Sequence, residues 1–337
     1  MIFASARNGH PDGELLLVHP NRLQAVSLQK LLPNLEAVRH LRTLLENWSL
    51  ALPYVQEIDD QLRRSQISQV HILDLRQCCL MACMPRTWLF ADGSAFLHHI
   101  KLVRKARGAE MPPNFLSVPL IYQGESGHFL GPQDPIPQRD ESDGTDFEGE
   151  IGVFTDYVPL GCNAEKAGNL IRLVTLINDI SLRHLIPSEL AMGFGFFVSK
   201  PQSALAPFAV TLDELHPFWR DHRLHLPLRV TLNGERFGQA DAGRMHFSFA
   251  QIIAHAAQTR PLVAGTLIGS GTVSNEEPDK GFSCIVEKRT QEQLLHGQPL
   301  TPYLRQGDRV RIEVLAPEGN VSLFGAIDQV VQKLTNF

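Results

Sequence analysis

The sequence of 337 residues is long enough for about two domains, and its 43% hydrophobic and 20% charged residues are typical of a globular protein. A net charge of −5, with one short basic cluster at residues 101–107, argues against bulk binding of nucleic acid, which needs a basic face matched to many phosphates. No run approaches the ~20 apolar residues of a membrane span, so we expect a soluble, cytoplasmic protein with no membrane partner.

The first 84 residues are predicted to form a small, partly helical cap or assembly domain. An apolar strand is expected at residues 15–18, and leucines recur at helical spacing between residues 32 and 64. Pro53 is expected to divide this helical stretch into two helices. The segment carries no obvious chemistry.

From residue 85 to residue 337 the chain is predicted to form a second domain that is rich in strands. Short apolar runs separated by Gly, Pro and Asp predict strands at 151–154, 173–177, 194–198, 263–268, 310–315 and 323–331. Helices are predicted at 163–172, 248–259 and 292–296, and an ordered loop at 131–145. The five cysteines show no metal-binding or redox spacing and are predicted to be reduced thiols.

The segment from Asp146 to Val153 carries paired carboxylates. Alternation along a strand would place Glu148 and Glu150 on one face, opposite Phe147 and Ile151. Two neighbouring carboxylates repel each other unless water or a cation screens them. Both a solvated edge strand and a cation site explain the pattern.

A second carboxylate position follows the apolar run 173–177, which ends in Asn178 and Asp179. Three carboxylates from two strands form an oxygen-rich site that suits Mg²⁺ or Ca²⁺. The alternative is that Asp179 only caps the following turn. Asp92 in the segment Ala91-Asp92-Gly93 is likewise either a turn residue or a further metal ligand.

His98 and His99 are adjacent, so at most one of them is expected to serve a given site. A histidine oriented by a carboxylate is the usual general base near neutral pH, although a structural role explains a single histidine as well. Glu287 follows an apolar stretch and is a candidate for orienting it. The glycines of Gly269-Ser270-Gly271-Thr272 favour either close approach of a ligand or a tight turn.

Taken in order, these segments resemble the fumarylacetoacetase family, most closely its bacterial members, over roughly residues 88–331. The motifs that carry the resemblance are Asp92-x6-His99, Tyr122-Gln123-Gly124, Asp146-x-Glu148-x-Glu150, Asn178-Asp179-x-Ser181-x-Arg183, Ser199-Lys200, Gly269-Ser270-Gly271-Thr272 and Gly307-Asp308-x-Val310. The resemblance implies an α+β fold, a mixed β-roll with a small, partly helical N-terminal domain, and assembly as a homodimer.

The resemblance also implies the site residues. The metal ligands match Asp92, Glu148, Glu150 and Asp179; the catalytic positions match His99, Glu287, Lys200 and Arg183; further substrate contacts match Arg107, Tyr122, Gly271 and Thr272. The cofactor would be a divalent cation, Mg²⁺ or Ca²⁺, with Mn²⁺ also suited.

The implied activity is hydrolysis of a carbon–carbon bond in a β-diketo acid, namely fumarylacetoacetate to fumarate and acetoacetate in tyrosine degradation. The alternatives on the same scaffold are an acylpyruvate hydrolase, an oxaloacetate decarboxylase and a keto-diacid isomerase; a silent binding protein is a further alternative. Animal family members carry Gln and Tyr where this chain has Ile186 and Ser94. Both positions concern the substrate, so the reaction type is better specified than the substrate.

Overall fold

The computed structural model describes residues 1–106, 110–111, 113–317, 319 and 321–334. In chain order, the strands among these residues are β1 (Ile2–Ala6), β2 (Glu14–Val18), β3 (Gln24–Ser27), β4 (Leu73–Asp74), β5 (Phe90–Gly93), β6 (Ile121–Gly124), β7 (Ile136–Gln138), β8 (Thr145–Asp146), β9 (Gly149–Thr155), β10 (Ile171–Asn178), β11 (Ser181–Leu182), β12 (Ala204–Leu205), β13 (Phe208–Thr211), β14 (Trp219–Arg220), β15 (Arg223–Leu224), β16 (Pro227–Leu232), β17 (Glu235–Asp241), β18 (Leu267–Gly269), β19 (Arg309–Val314) and β20 (Ile327–Lys333). The α-helices are α1 (Leu28–Leu31), α2 (Leu41–Glu46), α3 (Trp48–Arg63), α4 (Leu97–Ala106), α5 (Ala164–Gly168), α6 (Ile186–Ala191), α7 (Phe249–Ala256) and α8 (Ile285–His296). No helix in these ranges has both the length and the apolar character needed to cross a bilayer.

The largest sheet has eleven strands and joins the N-terminal segment to the middle of the chain. Its order is β4–β3–β2–β1–β13–β10–β9–β18–β5–β6, with β12 paired to β10. Strand β1 connects the two parts by antiparallel pairing with β13, where Phe3 lies opposite Ala209. The N-terminal strands therefore extend the same sheet that carries the carboxylate-bearing strands.

This sheet is buried on both faces in its N-terminal part, which explains why β2 is almost entirely apolar. Leu15 and Leu17 belong to one apolar cluster together with Leu45 of α2 and Val55 of α3. Leu16, on the opposite face, belongs to the main core. The helices α2 and α3 thus cover one face of the strands that precede them.

A second sheet covers the main core from the other side. Its order is β17–β16–β19–β20–β7, and β20 and β7 are paired in parallel. Val230 of β16 and Ile312 of β19 belong to the same apolar cluster as Ile151 of β9 and Val174 of β10. The two sheets therefore enclose one core, and the carboxylate-bearing strands β9 and β10 lie against it.

The prediction that Pro53 divides the N-terminal helical stretch is wrong. Helix α3 continues through Pro53, and the break between α2 and α3 lies at Asn47. Proline removes only one backbone hydrogen bond to the residue four positions earlier, and Pro53 lies near the start of the helix. Burial of Val55 and Ile58 beyond it favours continuation of the helix.

The predicted strand at residues 194–198 is also wrong. This apolar run forms an exposed loop, and Phe194 is fully exposed. Gly193 and Gly195 adopt φ angles of +81° and +94°, which are incompatible with a regular strand. The predicted loop at 131–145 contains the short strand β7, which pairs with β20, and the start of β8. For the predicted helices the type is correct but the length differs: the helix predicted at 163–172 ends at Gly168 before β10 begins, and the helix predicted at 292–296 starts at Ile285.

Candidate active site

Three buried carboxylates converge in the middle of the large sheet. Asp92 lies in β5, Glu150 lies in β9, and Asp179 directly follows β10. One oxygen atom from each of the three side chains lies within 4.8 Å of the other two. Strands β9 and β10 are neighbours, and β18 alone separates β9 from β5, so the order of the sheet fixes this convergence.

Gly269 of β18 makes room for the carboxylates. A Cβ atom at this position would lie 2.1 Å from Oδ1 of Asp92 and 3.1 Å from Oε2 of Glu150. Gly271 serves a turn instead: its φ is +74°, and its N–H donates to Oδ1 of Asp92 over 3.2 Å. The tight turn predicted for this segment is therefore present at Gly271, whereas close approach of a ligand stays a prediction.

Of these three carboxylates, Glu150 has the fewest hydrogen-bond donors from the protein to offset its burial. Burial raises the pKa of Asp92 well above its usual value, and the charge of Asp179 adds to that effect. Burial also raises the pKa of Glu150, with the charges of Asp92 and Asp179 adding to it. Among the described residues, no donor forms a hydrogen bond to either buried oxygen of Glu150. Three clustered carboxylates, one of which has no hydrogen-bond donor in the described part of the chain, suit a hard divalent cation, so these residues fit the predicted metal.

Glu148 lies beside this trio but has a different environment. Its Oε1 accepts hydrogen bonds from Arg183 over 2.7 Å and from Thr272 over 2.8 Å, and its Oε2 accepts from Lys200 over 2.6 Å. Burial alone would raise the pKa of Glu148, but Arg183, Lys200 and then His99 hold it well below its usual value. Its role as a fourth metal ligand stays a prediction, since both of its oxygens have donors in this structure.

Arg183 is fixed by two carboxylates. Its Nε donates to Asp146 over 2.8 Å, while its second terminal nitrogen donates to Glu148. Asp146 is fully buried and also accepts the backbone N–H groups of Ile285 and Val286, over 2.7 and 3.0 Å, at the start of α8. One buried carboxylate thus positions both the guanidinium and the helix that carries Glu287.

Lys200 and Tyr122 converge on Asp179. The Lys200 Nζ lies 2.5 Å from Oδ2 of Asp179, and the Tyr122 hydroxyl donates to the same oxygen over 2.8 Å. Ser203 donates to the other oxygen over 2.7 Å. Burial alone would lower the pKa of Lys200, but the charges of Asp179 and Glu148 raise it above its usual value, so the amine stays protonated.

His99 and Glu287 form a hydrogen-bonded pair between α4 and α8. Nδ1 of His99 lies 2.7 Å from Oε1 of Glu287, whose side chain is 1% exposed. Because an ionised carboxylate can only accept, the Nδ1–H of His99 donates to it, and in the neutral ring the lone pair is then on Nε2. His98 contacts Ser274 instead, over 2.9 Å, so the two adjacent histidines serve different partners.

Two further groups of potential ligands are less suited to a metal. Cys284 lies near the His99–Glu287 pair, but burial and the charge of Glu287 raise its thiol pKa well above the usual value, so the thiol stays protonated. His10, Asp12 and His40 also lie together, yet Asp12 is already paired with Arg86 and Arg42.

The structure brings most of the sequence-predicted site residues together, namely Asp92, His99, Tyr122, Glu148, Glu150, Asp179, Arg183, Lys200, Gly271, Thr272 and Glu287. Arg107 lies outside the described residues. Asp146 and Ser203 were not predicted to be site residues. Asp146 heads the paired-carboxylate motif, which is a usable signal, whereas nothing in the sequence distinguishes Ser203 from other serines.

Two family profiles together match most of this chain. The profile described as fumarylacetoacetate (FAA) hydrolase C-terminal matches residues 89–332, and that described as fumarylacetoacetase N-terminal domain 2 matches residues 1–86. The chain is 28% identical over 272 residues to the fumarylacetoacetase of Bos taurus, covering 66% of this chain and 64% of that protein. It is 26% identical over 227 residues to oxaloacetate tautomerase YisK of Bacillus subtilis (strain 168), covering 67% and 64%. These matches span slightly less than two thirds of either relative's length.

Solved structures show the same fold over nearly the whole chain. Maleylpyruvate hydrolase from Sphingobium sp. SYK-6, in complex with manganese (II) ion and pyruvate, has a TM-score of 0.66 at 14% identity over 99% of both chains. The 5-carboxymethyl-2-hydroxymuconate delta-isomerase from Mycobacterium smegmatis has a TM-score of 0.62 at 16% identity over 100% of both. The predicted α+β fold with a partly helical N-terminal part is confirmed. With profiles matching most of its length, the chain belongs to the fumarylacetoacetate hydrolase family.

Proposed function

We propose that the protein is a metal-dependent hydrolase that cleaves a carbon–carbon bond in a β-diketo acid, with fumarylacetoacetate as substrate and fumarate and acetoacetate as products. The observation that carries this proposal is the His99–Glu287 pair, in which Nδ1 of His99 lies 2.7 Å from the carboxylate oxygen that orients the ring. Hydrolysis needs a base that activates water, whereas decarboxylation of a keto acid needs no base and isomerisation needs one that takes a proton from carbon. The pair therefore favours hydrolysis over decarboxylation, and the products of turnover distinguish hydrolysis from isomerisation.

The cation is proposed to bind Asp92, Glu150 and Asp179, with Glu148 as a fourth ligand once one of its present donors is released. When bound, a divalent cation supplies positive charge for the neighbouring oxygens of the diketo acid and for the enolate that leaves. Oxygen ligands suit Mg²⁺ or Ca²⁺, and Mn²⁺ is also suited.

His99 is proposed as the general base. Its Nε2 takes a proton from water, and the water oxygen bonds to the carbonyl carbon next to the bond that breaks. The electron pair of the broken carbon–carbon bond goes to the departing enolate, which then receives the proton from His99 and becomes a ketone. A positioned base of this kind typically contributes ~10²–10⁴-fold to the rate.

Lys200 and Arg183 are proposed to stabilise negative charge as it develops on the substrate. Both are buried and held by carboxylates of the site, so their positive charges lie close to where the substrate would bind. Tyr122, Gly271 and Thr272 are proposed as further substrate contacts, as is Arg107, which is named here on its sequence alone.

The second candidate is another keto-acid activity on the same site, either hydrolysis of an acylpyruvate or tautomerisation or decarboxylation of oxaloacetate. The similarity to oxaloacetate tautomerase YisK favours it, and so does the likeness in fold to maleylpyruvate hydrolase. Ile186 and Ser94 stand where animal fumarylacetoacetases carry substrate contacts, so the substrate pocket has changed.

The test is an ultraviolet assay with purified protein stripped of metal by a chelator. Loss of the diketo-enol absorbance is followed for fumarylacetoacetate and a simple acylpyruvate, and loss of the enol absorbance for oxaloacetate, each with and without Mg²⁺, Ca²⁺ or Mn²⁺. Metal-dependent cleavage that favours fumarylacetoacetate supports the proposal. Preference for the acylpyruvate keeps the mechanism and changes the substrate, while turnover of oxaloacetate alone contradicts a hydrolase.

We also propose a homodimer and a domain boundary near residue 84. The boundary is supported by the two profile matches, although β1 and β13 share one sheet. Light scattering coupled to size-exclusion chromatography tests the dimer, since a monomeric mass at micromolar concentration would contradict it.

A further inference from the structure

The loop that leads to Lys200 is only weakly held by burial. It runs from residue 192 to residue 198 without a charged residue, and Met192, Phe194 and Phe197 are 70%, 101% and 86% exposed. Phe196 is half-buried and packs edge-on against Tyr122, with ring centroids 5.2 Å apart. Apolar side chains that stay in water contribute little to the stability of a loop. The backbone between Phe196 and the buried lysine therefore depends on polar interactions.

Glu189, in α6, supplies that interaction. Its carboxylate accepts the backbone N–H groups of Phe197, Val198 and Ser199, over 3.2, 2.7 and 3.0 Å, together with the Ser199 hydroxyl. The Ser199 hydroxyl is the largest cause that lowers the pKa of Glu189, to about 2, and the three N–H groups add to it. The carboxylate is therefore ionised at neutral pH, and hydrogen bonds to a charged acceptor are the stronger kind.

The clamped residues continue directly into the site. Ser199 is fully buried, and its carbonyl accepts the N–H of Leu182 in β11 over 2.8 Å. The next residue is Lys200, whose Nζ contacts Glu148 and Asp179 over 2.6 and 2.5 Å. A shift of the backbone at residues 197–199 would thus be passed to the lysine amine.

We propose that Glu189 is a positioning residue that holds the Lys200 amine in the active site by clamping the backbone immediately before it. Glu189 contacts the loop backbone at residues 197–199 rather than the site carboxylates. Its effect on the site is therefore exerted through the position of Lys200. The consequence for turnover rests on the proposed function, but the effect on the position of the lysine does not.

The chain offers a matched control in Glu292 of α8. This carboxylate accepts the N–H groups of Leu300 and Thr301, over 2.6 and 2.7 Å, and the Thr301 hydroxyl over 2.5 Å. It therefore clamps an exposed loop in the same way, and that loop does not lead to Lys200. Glu292→Ala should cost comparable stability without moving the lysine.

The first measurement does not depend on activity. Full-length wild type, Glu189→Ala, Glu189→Gln and Glu292→Ala are treated with an amine-methylating reagent, and labelling at Lys200 is followed by mass spectrometry. We expect Lys200 to react about 10-fold faster or more in Glu189→Ala, in proportion to the opening of the loop. Glu189→Gln, which keeps an acceptor but loses the charge, should give an intermediate rate. Lys200 should stay protected in Glu292→Ala.

The second measurement is a double-mutant cycle with Lys200→Met in the diketo-acid assay. Glu189→Ala should lower kcat by roughly 10–100-fold in the wild-type background, because displacement by about 1 Å is costly in an active site. In the Lys200→Met background the same substitution should have little further effect.

Unchanged labelling of Lys200 in Glu189→Ala overturns the proposal, and so does an equal loss of kcat in both backgrounds. If Glu189→Ala does not fold, the comparison rests on Glu189→Gln, for which wild-type labelling would be the contradicting result. Absence of turnover in the wild type would remove the proposed function alone, since the labelling rates decide the role of Glu189 independently.

Discussion

Glu150→Gln should make the metal-free protein more stable than the wild type, and added metal should reduce or remove that advantage. In the wild type without metal, Glu150 lies buried beside Asp92 and Asp179, and no described donor compensates its oxygens. A glutamine of nearly the same shape removes one charge from this group. Its amide can also donate a hydrogen bond to a neighbouring carboxylate.

The expected magnitudes follow from the charges involved. Two like charges about 4 Å apart repel by roughly 1 kcal/mol in water and about 4 kcal/mol near a protein surface. Because the raised pKa of Glu150 lets a proton relieve part of this repulsion, the metal-free variant should be more stable by at most an amount in this range. At a metal concentration 100 times the dissociation constant, the wild type gains ~2.7 kcal/mol from binding. A variant that binds about 100-fold more weakly gains only ~0.4 kcal/mol under the same conditions.

Urea unfolding in chelator and in Mg²⁺, Ca²⁺ or Mn²⁺ measures both effects. Glu277→Gln is the control, because it removes the same charge from an exposed ion pair with Arg244. Metal should raise the free energy of unfolding of this control by as much as it raises that of the wild type. The reasoning is refuted if Glu150→Gln is the less stable protein in chelator, or if metal stabilises it as much as it stabilises the wild type.

His99→Ala should lower kcat by ~10²–10⁴-fold while metal content by elemental analysis stays unchanged, and normal turnover would remove His99 as the base. Lys200→Met should lower kcat far more than Lys200→Arg, because the arginine keeps the charge; equal losses would indicate a steric role. Gly269→Ala should weaken metal binding in calorimetric titration by about 10–100-fold, since its Cβ would lie 2.1 Å from an oxygen of Asp92. In Gly127→Ala the new Cβ meets only the exposed carboxylate end of Glu125, so unchanged affinity is expected there; an equal loss in both variants would show that crowding of Asp92 is not the cause.

Much of the site could be predicted because its chemistry lies at the ends of apolar strands. The run that ends in Asn178 and Asp179 is a buried strand, and the polar pair follows it into the site. Glu150 is detectable for the opposite reason, since a carboxylate inside an otherwise apolar strand has no structural purpose there.

What could not be predicted depends on partners that are distant in sequence. Ser203 lies next to Asp179 because β12 pairs with β10, and no local sequence pattern predicts that pairing. Phe194 was predicted to lie in a strand because apolar residues are usually buried, whereas here it stays in water. The clamp formed by Glu189 likewise spans ten residues and follows no recognised helix-capping spacing.

The pairing of β1 with β13 has a consequence for synthesis of the chain. Residues 2–4 must wait until residues 208–210 have been made before this part of the sheet can close. At ~5–20 residues per second, the delay is roughly 10–40 seconds. During that time Leu15 and Leu17 can be covered by the helices that follow them, but Leu16 and Ile2 face the core that is still absent. The newly made N-terminal part therefore exposes an uncovered apolar strand edge and face, and chaperones that bind extended apolar segments should act at this stage.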